Sequence, residues 1–282
     1  MEGQRKLSKN AWKWAFYDWA NSGFATTVMA GFFPIFFKSF WAADLDAAES
    51  TFVIGSINSF IGLLIALSAP ILGAIADVGK TKKKFLFIFA SLGILATGYL
   101  FFIPESSWKA AVIFYGLGVI GFSGGNIFYD ALIVSVSSPG ERNRTSSLGF
   151  SLGYLGGGLL FLVNVMMYLY PHWFGLSGPA DAVLWSFMSV ALWWLIFSMP
   201  LLLYVKEKDG LSDNENNNIV TKAFANLLNT AKSVRNYKKV VIFLLAYFLY
   251  MDGVDTIIRM ATSYGSDIGL SASSMISALL LT

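Results

Sequence analysis

The chain has 282 residues, 56% of them hydrophobic and 13% charged, with a mean hydropathy of +0.61. Ordinary soluble domains carry roughly 45–50% apolar and about 25% charged residues, so this composition belongs in a bilayer. A net charge of +3, divided between both signs, excludes a nucleic-acid partner; the absence of cysteine excludes disulfides, thiolate nucleophiles and Cys-ligated metals.

Charge-free runs define the elements in chain order. Residues 19–37, 50–76, 85–104 and 110–129 are four such runs. The fifth, 145–180, is broken at its far end by Pro171, Gly175, Gly178 and Pro179, and the sixth is 182–205. A seventh, 240–260, carries three charges, and an eighth begins near Ile268 and is still apolar at Thr282. About 20 apolar residues cross a hydrocarbon core of roughly 30 Å. None of the runs alternates with a period of two, so all are predicted as helices and not as barrel strands. The polar stretch 206–218 is predicted to be a linker. Residues 219–237 after it are predicted either as a basic amphipathic helix on the inner leaflet or as a solvated loop.

Lysine and arginine set the orientation. Arg5, Lys6, Lys9 and Lys13 precede the first span, and Lys80, Lys82, Lys83 and Lys84 follow the second. Arg142 and Arg144 follow the fourth, and seven more, from Lys206 to Lys239, separate the sixth from the seventh. Only Lys38, Lys109 and Arg259 fall on the other side, which predicts a cytoplasmic N-terminus. The first span contains Asp18 just ahead of its charge-free run and opens an unbroken series of spans, so it is not a cleavable signal. The sequon at Asn143 then faces the cytoplasm and is inert.

Ionisable groups within a bilayer cost several kcal/mol and point to function. Asp18 lies in span one, Asp130 at the end of span four one turn after Asn126, and Asp252, Asp255 and Arg259 in span seven. Asp255 and Arg259 have the i,i+4 spacing of an ion pair, which neutralises them without a solute. Asp18, Asn21, Asn126, Asp130 and Asp252 are the candidate residues of a polar cavity for a small-molecule solute, with protons as a second cargo. The spacing of Gly149, Gly153, Gly156, Gly157 and Gly158 on span five, and of Ser123, Gly124 and Gly125 on span four, predicts faces where another backbone approaches closely.

The run Gly73-Ala-Ile-Ala-Asp77-Val-Gly79-Lys80-Thr-Lys-Lys resembles the signature loop of the major facilitator superfamily, shortened by one residue. Physically, Gly73 permits tight approach and Asp77 stabilises a helix start or pairs with an arginine, for which Arg142 is the candidate. The resemblance implies that Gly73, Asp77, Gly79, Lys80 and Arg142 form a cytoplasmic gate. Within that superfamily, Tyr17-Asp-Trp-Ala-Asn-Ser22 and Tyr250-Met-Asp-Gly-Val-Asp-Thr-Ile-Ile258 resemble the vacuole-effluxer family, the autophagy-linked amino-acid effluxers and their bacterial relatives.

The resemblance implies an all-α polytopic membrane protein of two six-helix bundles, with spans one, four, seven and ten around a central cavity. On that plan residues 1–205 are the first bundle, 206–238 a cytoplasmic linker, and 239–282 the first one to two helices of the second. The chain is then expected to be C-terminally truncated. The expected function is secondary active transport of a small polar solute, by resemblance an amino acid, in a bacterial inner membrane, with proton coupling at the carboxylates and no cofactor. A non-transporting membrane sensor or partner-binding protein is the alternative. An intramembrane aspartyl protease lacks its Gly-x-Gly-Asp motif, and a Ser–His hydrolase fails because His172, the single histidine, lies in an outer loop.

Overall fold

The computed structural model describes residues 7–207 and 219–281. Arg5, Lys6 and residues 208–218 of the expected linker, Lys208 among them, lie outside the described residues, as does the side chain of Lys222. Among the described residues seven helices are long and apolar enough to cross a membrane. They are α1 (Lys9–Trp41), α2 (Ala47–Gly79), α3 (Lys82–Phe102), α4 (Trp108–Val136), α5 (Pro139–Leu169), α6 (Pro179–Tyr204) and, after the shorter α7 (Ile219–Arg235), α8 (Lys238–Asp267). A ten-residue helix, α9 (Ala272–Leu281), follows. No strand occurs among the described residues. The protein is an all-α integral membrane protein, as its composition requires.

Local chemistry sets the helix ends. The Ser8 hydroxyl accepts from the Ala11 N–H at 3.0 Å and donates to the Val136 carbonyl at 3.1 Å, tying the start of α1 to the end of α4. Asp46 caps α2 by accepting from the Glu49 N–H at 2.7 Å. Between α2 and α3 the turn is so short that Lys80 takes a left-handed conformation (φ 51°), which glycine would adopt without strain. Pro179 opens α6, where its missing N–H costs nothing. The first span is longer than its charge-free run because Lys9 and Lys13 extend the helix at the near end, the end that carries the N-terminus.

Helix α1 is the hub. It packs against α5 and α6, while α3 packs against α4 and α6. The centre of α1 is wound more loosely than an ordinary helix. The Phe33 N–H bonds to the Val28 carbonyl and the Ala42 N–H to the Phe37 carbonyl, five residues back in each case. This widened stretch turns Phe33, Phe36, Phe37 and Trp41 into an aromatic plug at the far end. Phe33 stacks on Tyr115 of α4 at 3.9 Å, Trp41 stacks on Phe187 of α6 at 5.7 Å, and the Trp41 indole donates to the Ile103 carbonyl.

The predicted glycine face of α5 is a seat for α1, whereas that of α4 is shared: Gly125 meets Tyr17 of α1 and Gly124 meets Phe89 of α3. A Cβ on Gly153 would press on Ser22 and Asp18, one on Gly156 on the Trp19 backbone, and one on Gly149 on Tyr129 and Trp14. Gly158 faces open space and contributes nothing to this contact. Residues 219–235 form the amphipathic helix rather than a loop, and α7 lies against α2.

Candidate functional site

Four of the five expected cavity residues lie where α1 meets α4. Asn21 is buried, and its Nδ2 donates to Asn126 Oδ1 at 2.5 Å, joining two spans that are 105 residues apart in sequence. One turn toward the near end, half-buried Asp18 accepts from the Ser22 hydroxyl at 3.4 Å. Asp130 is exposed one turn beyond Asn126. The i,i+3 and i,i+4 spacings put each pair on one helix face, and the glycines of α5 leave room beside Asp18.

Sequence reasoning missed the aromatic walls of this cluster. Trp14 stacks on Tyr129 at 4.2 Å and donates its indole N–H to the Tyr129 carbonyl at 2.8 Å; Tyr17 lies 5.1 Å from the Tyr129 ring. The Tyr17 hydroxyl, beside Asn21 and the Trp194 indole, is buried without a hydrogen bond of ordinary length, as are the Tyr129 hydroxyl and the Trp194 N–H. A buried polar group without a partner costs about 1–3 kcal/mol, so these enclosed groups, set beside two carboxylates and two amides, mark the junction as a polar region inside an otherwise apolar bundle. Their signal in the sequence was the Tyr-Asp pair at 17–18 and again at 129–130.

The fifth residue, Asp252, stands apart. It is exposed on α8 and has no side-chain hydrogen bond or ion pair among the described residues. Three residues on, Asp255 accepts from Arg259 Nε at 3.1 Å and Nη2 at 2.8 Å, the self-neutralising pair that the spacing predicted. The hydroxyl of buried Tyr115 on α4 donates to Asn58 of α2 at 3.1 Å.

At the near end the expected gate residues are arranged differently from the sequence expectation. Asp77 pairs with Lys82 at 2.6 Å, across the turn, and not with Arg142, which is exposed at the start of α5. The short loop explains this, since Lys80 reverses the chain at once and brings the first turn of α3 under Asp77. A Cβ on Gly73 would meet nothing within 4 Å, so no helix approaches it closely here. Gly79 is half-buried and Lys80 is exposed. The loop is instead tied to the end of α6: the Lys82 N–H donates to Glu207 and the Lys83 ammonium to the Val205 carbonyl at 2.8 Å. Among the described residues no group of His, Asp or Glu has the grouping of a metal site.

Comparison with known proteins assigns this architecture. The sequence matches the family described as "Vacuole effluxer Atg22 like" over residues 47–136 and 134–282. It is 39% identical to the uncharacterized MFS-type transporter YxiO of Bacillus subtilis over 281 residues, which is 99% of this chain and 65% of that protein. It is 28% identical to autophagy-related protein 22 of Yarrowia lipolytica, over 77% of this chain and 49% of that one. The crystal structure of a D-xylose–proton symporter superposes with a TM-score of 0.58 at 17% identity, covering 96% of this chain and 65% of the symporter, and shows the same fold. The chain therefore spans 65% of the length of its Bacillus relative. Its fold is that of the major facilitator superfamily, and the protein belongs to the Atg22-like vacuole-effluxer family.

Proposed function

We propose that the protein is a secondary active transporter that moves a small polar solute, an amino acid, by alternating access, with protons as the coupling ion. The observation that carries this reading is the Asn21–Asn126 bridge with Asp18 and Asp130 one turn away on the same two helix faces, walled by the rings of Trp14, Tyr17 and Tyr129. Amides and carboxylates at one helix junction offer donors and acceptors to an amine and a carboxylate together. The names of the fungal relatives, which tie the family to vacuolar efflux and autophagy, support an amino acid as cargo. On this reading Asp252 joins the cluster only when the near half of α8 closes against α1. Asp77, Gly79, Lys80 and Arg142 then work at the cytoplasmic face, with Gly73 on the same helix end. The lysine and arginine bias supports a cytoplasmic N-terminus and a bacterial inner-membrane location.

Proteoliposomes containing the intact protein and loaded with radiolabelled amino acids test the reading. The expected result is protein-dependent flux of at least one amino acid, lost in Asn21→Ala and Asn126→Ala. Binding without flux across the whole set would favour a sensor instead.

A further inference from the structure

Lys38 is one of three basic residues that the charge bias leaves on the far side, and its surroundings explain it. Its side chain is 10% exposed at the end of α1. The ammonium has three N–H groups and three acceptors: Thr51 Oγ1 of α2 at 2.7 Å, the Ser263 carbonyl of α8 at 3.0 Å and Asp267 Oδ1 at 2.5 Å. Thr51 in turn donates to the second oxygen of Asp267 at 2.8 Å and lies 3.4 Å from the Ser263 hydroxyl. One turn from this knot the Thr262 hydroxyl donates to the Ala30 carbonyl, and Met260 reaches Gly55 of α2. Asp267 is the last residue of α8, where the helix dipole disfavours a negative charge, so it gains from this cation and has little reason to be there without it. The buried residues of α8 are Thr262, Ser263 and Gly265, all within this end; the stretch from Ile242 to Tyr250 is exposed throughout.

We infer that Lys38, Thr51 and Asp267 form a polar latch that closes the far side of the transport path and lets go when α8 closes against α1 at the near end. The inference rests on the alternating-access reading, under which α8 must part from α1 and α2 at this end once per cycle. A latch built from three hydrogen bonds to one ammonium releases as a unit, unlike an apolar seam, because losing one partner leaves the remaining charge poorly solvated. It also accounts for α8 holding its place against α1 and α2 through so few residues.

The chain contains no cysteine, so a single cysteine can report on the seam. Gly55→Cys, immediately beneath the latch, is introduced into the intact protein and treated with a membrane-impermeant maleimide, in right-side-out and in inverted vesicles. Labelling from the far side is expected to be slow with the latch intact. In Asp267→Asn it should rise about tenfold, the factor carried by one lost charge-assisted hydrogen bond, and in Lys38→Met, which removes all three bonds, by at least as much. The charge-swapped pair Lys38→Asp with Asp267→Lys should return it to the slow rate, which a misfolded protein would not do. An unchanged rate in Asp267→Asn, or no recovery in the swapped pair, would overturn the latch. A disulfide between Thr51→Cys and Ser263→Cys should stop flux until it is reduced; undiminished flux through the cross-linked protein would contradict it equally. Absence of flux in the unmodified protein would instead count against the transport reading, and the labelling result would still stand.

Discussion

Helices α1 and α8 are similar in length and both carry aspartate, yet they are held in opposite ways. In the most apolar stretch of α1, 67% of residues are buried; in that of α8 none are. Helix α1 lies in seats of glycine on α4 and α5, with indole and phenol rings stacked along it. Helix α8 meets α1 and α2 at one end, through a lysine, an aspartate and three hydroxyls. Apolarity puts a helix in the membrane, but small residues and paired polar groups decide what it is fixed to. A shape-matched seam resists sliding, whereas a polar knot at one end can let go and form again.

The sharpest way to break this contrast is a glycine exchange. Gly156→Leu drives a side chain into the Trp19 backbone and should destabilise the protein by about 3 kcal/mol or more. Gly253→Leu on α8 meets nothing within 4 Å and should not lower the melting temperature. Thermal unfolding in detergent compares the two; equal losses would erase the distinction. Next in size is Asn126→Ala, which strands the buried amide of Asn21 and should cost about 1–3 kcal/mol. Asp255→Asn, at an ion pair whose acid is 56% exposed, should cost under about 1 kcal/mol in the same assay. Smallest is a gain. Lys80→Gly relieves the left-handed residue between α2 and α3 and should raise stability by about 0.5–1 kcal/mol; a loss would show that the lysine side chain holds the loop.

Much of this was legible in the sequence. Charge-free runs located the spans, because a hydrocarbon core tolerates few charges. The face shared by Asn126 and Asp130, and that shared by Asp18 and Asn21, followed from helical spacing, although nothing in either helix alone could say that the two faces meet. The glycine stripe of α5 announced a close contact but not its partner, since a missing side chain does not specify what fills the space. The partnership of Lys38 with Asp267 was illegible for a plainer reason: 229 residues separate them, and each reads locally as a charge at a helix end. Asp77 illustrates the reverse case. Its motif pointed to a distant arginine, but a loop one residue shorter delivered Lys82 first.

The central claim is that proton and solute meet at the carboxylates of the packed region, Asp18 and Asp130, and it can be tested directly. Proteoliposomes containing the intact protein and a trapped pH-sensitive dye are presented with the amino acid identified by flux. The expected result is solute-dependent proton movement in the unmodified protein and none in Asp18→Asn or Asp130→Asn. Normal proton movement in both variants would contradict the account.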